Sequence, residues 1–84
     1  MGFKIIWSES AARELRRLDR SVARQIFEKV DKLKEDPYRN VRKLVGLPYF
    51  RLRAGDYRII LDIQKDIMRV LVIKVGHRKR IYEK

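Results

Sequence analysis

The sequence predicts a small α+β domain in the order β-α-α-β-β-β: an opening strand, two helices and a three-stranded meander. Two hydrophobic periods carry this reading. Apolar residues recur at three- and four-residue spacing up to about residue 36, and after Pro48 they alternate every second residue, broken by two short polar turns. At 84 residues there is material for one domain, residues 1–84. Its core will be thin, because chains of this size bury only about 60–65% of their unfolded surface.

Phe3-Lys4-Ile5-Ile6-Trp7 is β-branched and aromatic, with Phe3, Ile5 and Trp7 on one face, so it reads as the opening strand. Ser8 offers an N-cap, and a helix should begin near Glu9 with Ala11, Ala12, Leu15 and Leu18 as its apolar stripe. Asp19 or Ser21 restarts the chain, and Val22, Ala23, Ile26, Phe27, Val30 and Leu33 continue the helical period. Pro37 disfavours helical geometry at Asp36 and should end the second helix. Residues 37–48 have no sustained period and read as a loop with at most a short helical turn. Next, Phe50 and Leu52 point one way while Tyr49, Arg51 and Arg53 point the other, and Ala54-Gly55-Asp56 makes a tight turn. Tyr57, Ile59, Leu61 and Ile63 then alternate with Arg58, Ile60 and Asp62. After the turn at Gln64-Lys65-Asp66, the nearly continuous apolar run from Ile67 to Val75 suits a central strand buried on both faces.

Composition narrows the function classes. Cysteine is absent and there is one histidine, which leaves no disulfide framework, no thiolate site and no metal or cofactor to expect. No apolar stretch approaches the roughly 20 residues of a membrane span, and the N-terminus lacks the apolar core of a signal peptide; a soluble cytoplasmic chain without a membrane partner is expected. The net charge is +11, and it is unevenly spread: residues 1–36 hold nine Lys/Arg against seven Asp/Glu, residues 37–84 thirteen against four. Such a field draws polyanions and makes their affinity salt-dependent. The segment Lys74 to Lys84 adds a basic tail containing His77 and Tyr82, suited to RNA or single-stranded nucleic acid if it is more than a solvated terminus.

The hairpin concentrates Arg51, Arg53 and Arg58, with Arg78 and Arg80 arriving from the neighbouring strand. Like charges that close are destabilising without an anion, and arginine's planar fork suits bidentate phosphate contacts. The structural alternative is that Asp56, Asp62 and Glu83 neutralise the cluster.

The series Lys43-Leu44-Val45-Gly46, then Tyr49-Phe50-Arg51-Leu52-Arg53-Ala54-Gly55-Asp56-Tyr57-Arg58, then Gly76-His77-Arg78-Lys79-Arg80-Ile81-Tyr82, behind two helices, resembles the RelE/ParE toxin family, RelE branch. The resemblance covers the whole chain. It implies a twisted antiparallel meander sheet covered by an N-terminal helical hairpin. It also implies the toxin of a type II toxin–antitoxin pair, a ribosome-dependent endoribonuclease that cuts mRNA in the ribosomal A site by metal-free 2′-hydroxyl attack. By the same resemblance Arg51 and Arg58 stabilise the reacting phosphate, Arg78 protonates or stabilises the leaving oxygen, and Tyr82 stacks on a base. Lys43, Arg53, Lys79 and Arg80 are the further RNA contacts expected. Tyr49 stands where the family carries a lysine thought to act as base, so Tyr49, His77, a displaced Lys43 or a ribosomal group would take that proton. A histidine ending a buried strand is more often structural, and Tyr57, on the apolar face, reads as core. The implied partners are a cognate acidic antitoxin of the RelB kind, the ribosome and mRNA. A ParE-like inhibitor of DNA gyrase and a non-cleaving RNA-binding module are the alternatives.

Overall fold

The structure is a computed structural model that describes residues 2–81. Its elements are β1 (Lys4–Trp7), α1 (Glu9–Arg16), α2 (Arg20–Asp31), β2 (Val41–Lys43), β3 (Phe50–Ala54), β4 (Tyr57–Gln64), β5 (Arg69–His77) and α3 (Arg78–Ile81), with 3-10 turns at Lys32–Lys34 and Lys65–Ile67. They form one sheet in the order β1-β5-β4-β3-β2. β2 to β5 are antiparallel neighbours, and β1 lies parallel to β5, so the sheet is mixed.

Ser8 does two jobs at the start of α1. Its Oγ accepts the Ala11 N–H at 3.0 Å, the cap expected of it, and donates to the Ile73 carbonyl at 2.9 Å, tying the helix start to β5. The helical hairpin then covers one face of the sheet. Ala11, Ile26, Val30 and Leu33 meet Leu52, Ala54, Ile59, Leu61, Val70, Val72 and Val75 in a single buried cluster. Phe27, expected on the buried stripe, is half-exposed and stacks on Trp7 with centroids 6.1 Å apart. The second helix gives way to a 3-10 turn after Asp31, before Pro37 is reached.

Two expectations need correction. The segment expected to be a loop contains β2, which pairs with β3 through Val41↔Leu52, Arg42↔Arg51 and Lys43↔Phe50. Three residues are too few to display an alternation; the strand exists because β3 offers it an open edge. β5 is central as expected but is buried on one face only: Val70, Val72 and Val75 are buried, while Leu71 and Ile73 are half-exposed. The turn at Gly55-Asp56 joins β3 to β4 as expected, with Ala54 opposite Tyr57 and Gly55 at φ +60°, a left-handed value that a side chain would strain. Among the described residues, no helix is long and apolar enough to cross a membrane.

Candidate nucleic-acid interface

Directly opposed residues of antiparallel neighbours point to the same face, so register decides which basic residues meet. Arg42 opposes Arg51, Arg51 opposes Ile60, and Ile60 opposes Lys74. Nearer the turn, Arg53 opposes Arg58, and Arg58 opposes Gly76. The alternating residues Leu52, Ala54, Ile59 and Val75 are buried under the helices, so both rows belong to the open face. Arg78 reaches the same end of that face: its N–H donates to the Asp56 carbonyl at 2.8 Å, carrying the pairing one step past β5.

Of the carboxylates expected to neutralise the cluster, Asp56 and Asp62 are described, and neither makes a close ion pair that is seen with it. Arg78 Nε lies 3.9 Å from Asp56 Oδ1, with both side chains more than half exposed, an arrangement that contributes little in water. Asp62 accepts a hydrogen bond from Gln64 Nε2 at 2.9 Å, and Gln64 Oε1 in turn accepts from Arg69 Nε at 2.7 Å, at the far end of β4. Glu83 lies outside the described residues. By residue type the face carries more basic than acidic side chains, and its arginine rows suit the oxygens of a phosphodiester.

The expected site residues separate into groups. Arg51, Arg53 and Arg78 share the open face, with Arg51 half-buried and the other two exposed. Arg58, expected beside them as a phosphate contact, is only 6% exposed. Its Nη1 donates to the Gly55 carbonyl at 2.8 Å and the Tyr57 carbonyl at 3.0 Å, because the tight turn presents carbonyls that need donors. Lys43 opposes Phe50 and so lies on the opposite side of the sheet from Arg51. Tyr49 is half-buried ahead of β3, and its carbonyl accepts the Leu44 N–H at 2.9 Å. Tyr82 lies outside the described residues.

His77 sits on the other side of the sheet from Arg51 and Arg53. It opposes Tyr57 on the helix-covered side, ring edge to ring face at 5.5 Å and 78°. Its Nδ1 accepts the Lys79 N–H at 3.2 Å, so the imidazole caps the start of α3. An accepting Nδ1 leaves the proton of the neutral ring on Nε2, and the ring then has no lone pair to offer a 2′-hydroxyl without breaking the cap. The structural reading of His77 is the one the geometry supports. Lys79 and Arg80 line a cleft of about 580 Å³ with His77, Tyr57 and Glu14, at the border of α1 and α3.

Sequence reasoning missed Arg42 and Lys74 as members of the open face. Arg42 sits on the unforeseen β2. Simple alternation from Val70 and Val72 would send Lys74 toward the core, but the ladder slips between Ile60 and Leu61, leaving Ile73 as an extra residue and turning Lys74 outward. A bulge of this kind carries no sequence signal here. Among the described residues, no cluster of three or more His, Cys, Asp or Glu could hold a metal ion.

Comparison with known proteins agrees with this architecture. The family described as the ParE toxin of the type II toxin–antitoxin system parDE matches residues 5–82. The mRNA interferase toxin RelE of Escherichia coli K12 is 31% identical over 83 residues, covering 95% of this chain and 87% of that protein. Among solved structures, the archaeal RelE–RelB complex from Pyrococcus horikoshii matches with a TM-score of 0.84 at 25% identity, covering 95% of this chain and 99% of that one. The intact E. coli RelBE toxin–antitoxin complex matches with a TM-score of 0.78 at 29% identity, covering 89% and 95%. An α+β fold with an arginine-bearing open face, a family match over nearly the whole length and a RelE relative of this identity place the chain in the RelE/ParE family of type II toxins.

Proposed function

We propose that this toxin is a ribosome-dependent endoribonuclease that cuts mRNA in the A site. The observation that carries the reading is the convergence of Arg51, Arg53 and Arg78, joined by Arg42 and Lys74, on one uncovered face of the sheet. The name mRNA interferase borne by the RelE relative supports it. In the proposed reaction the 2′-hydroxyl oxygen forms a bond to the adjacent phosphorus, the bond from phosphorus to the 5′-oxygen breaks, the 2′-oxygen gives up its proton, and the 5′-oxygen takes one from water or a ribosomal group. The products are a 2′,3′-cyclic phosphate and a 5′-hydroxyl.

Negative charge builds on the phosphoryl and leaving oxygens, and preorganised guanidinium groups lower that barrier electrostatically. Arg51 is assigned to the phosphoryl oxygens. Arg78 is assigned to the leaving oxygen, as a stabiliser and not a proton source, because a guanidinium does not give up its proton. Tyr82 is assigned to stacking on a target base. With His77 engaged in a cap, the 2′-hydroxyl proton goes to a ribosomal group, directly or through the Tyr49 hydroxyl, which passes its own proton on as it accepts that one. This chain supplies charge but no paired acid and base, so the ribosome supplies substrate orientation. A net-acidic antitoxin covering the arginine face is the matching inhibitor; the solved relatives are toxin–antitoxin complexes.

Primer extension on a translated message after induction tests the proposal. Breaks in register with A-site codons are expected. The match to a ParE-named family favours one second reading, a gyrase inhibitor, and intact message with trapped DNA breaks would select it.

A further inference from the structure

Among the described residues, Arg58 is the charged side chain that the fold buries, at 6% exposure. A guanidinium keeps its charge when withdrawn from water, so acceptors must compensate it. Those acceptors are the carbonyls of Gly55 at 2.8 Å and Tyr57 at 3.0 Å, both reached by Nη1. They flank Asp56 in the β3–β4 turn. Asp56 in turn anchors the end of the sheet, accepting the Arg78 N–H at 2.8 Å on its carbonyl and facing Arg78 Nε at 3.9 Å with its carboxylate. A turn clamped on both sides of Asp56 fixes the point from which Arg78 departs.

We infer that Arg58 is a positioning residue: its buried guanidinium clamps the Gly55–Tyr57 turn, and the turn, through Asp56, sets where Arg78 stands on the anion-binding face. The inference rests on the proposed role of Arg78 at the leaving oxygen. Its physical content is separable from that role, since the Arg78 N–H to Asp56 bond is observable in the isolated protein. The competing assignment has Arg58 contacting the phosphate itself, which would require a guanidinium that is 6% exposed and held by Nη1 at the turn to present Nε or Nη2 to a strand on the open face.

A double-mutant cycle decides between them. Single-turnover cleavage on programmed ribosomes is measured for the full chain, Arg58→Gln, Arg78→Ala and the double variant, with ribosome affinity measured in parallel. Arg58→Gln is expected to lower the rate about 10–100-fold and Arg78→Ala about 10²–10³-fold, with affinity within about twofold. In the Arg78→Ala background, Arg58→Gln should add less than about twofold. Losses that multiply in the double variant overturn the inference, because Arg58 then acts on the substrate independently. Amide hydrogen exchange at Arg78, read by NMR, supplies a second test that needs no cleavage. Exchange at least about tenfold faster in Arg58→Gln is expected, as local opening of the anchored turn requires; unchanged exchange overturns the clamp. If Arg58→Gln does not fold, Arg58→Met keeps the volume of the stem without burying a charge and is read the same way. Absence of cleavage by the unaltered protein would defeat the proposed function, and the exchange measurement would still decide the clamp.

Discussion

Replacing Arg42 by Glu should move stability and RNA binding in opposite directions. Arg42 opposes Arg51 in register, so the pair as it stands is a like-charge contact between adjacent strands. Cross-strand charge pairs contribute roughly 0.2–1 kcal/mol, unfavourable for like and favourable for opposite charges. Arg42 is exposed, so screening trims the swing to about 0.5–1 kcal/mol of added stability. For a domain of this size that is a rise of about 2–8 °C in Tm. On the binding side, the open face offers Arg42, Arg51, Arg53, Lys74 and Arg78 to a strand. If each meets a phosphate, the slope of log affinity against log salt is about −3.5, at roughly −0.7 per contact for single strands. Removing one positive charge and adding a negative one brings the slope to about −2 on the same rule. Thermal melting and fluorescence anisotropy with a 2′-O-methyl oligonucleotide, which offers no attacking hydroxyl, measure the two arms. An unchanged salt slope together with an unchanged or lower Tm would refute the assignment of Arg42 to the anion face.

Four further outcomes follow from named contacts. Ser8→Ala removes both the α1 cap and the tie to β5 and should cost about 1–2 kcal/mol, read by urea unfolding; a loss near zero would mean Ser8 is idle. Ile26→Ala, at a site 1% exposed, should cost about 2–5 kcal/mol in the same assay, and a smaller loss would place Ile26 outside the core. His77→Asn preserves a side-chain acceptor for the start of α3 and should leave single-turnover cleavage within about threefold, since Asn is a good cap; a loss beyond about 10²-fold would make His77 a proton carrier after all. Arg16→Ala, on the exposed side of α1, should change cleavage little, and a large loss there would mean that the helical layer also touches the substrate.

The layout was legible because the hydrophobic period changes once, from helical to alternating. Ser8, Gly55 and the pair of helical stripes announce α1, the β3–β4 turn and the buried layer by chemistry that needs no neighbours. The arginine rows on β3 were legible for the same reason, since alternation assigns Arg51 and Arg53 to one face. What was illegible depended on partners distant in sequence. β2 is a strand only because β3 has an edge to fill, and Arg42 became a site residue with it. Lys74 changed side through a bulge set by the β4–β5 ladder. Arg58 looked like its neighbours in the alternation, yet the turn beside it supplied two carbonyls and drew it out of solvent. His77 was read as more often structural than catalytic from its place at the end of a strand, but its actual partner, the Lys79 N–H of α3, was not foreseen.

The central claim is 2′-hydroxyl attack on an A-site phosphodiester by a face of arginines. Its most direct measurement uses the purified protein with ribosomes programmed by either an all-ribose message or the same message carrying a single 2′-deoxy nucleotide immediately 5′ to the expected cut. The account predicts that the ribose message is broken at that phosphate, leaving a 2′,3′-cyclic phosphate and a 5′-hydroxyl, and that the deoxy message stays intact there. Equal cleavage of both messages, or no A-site cleavage of either, would contradict it.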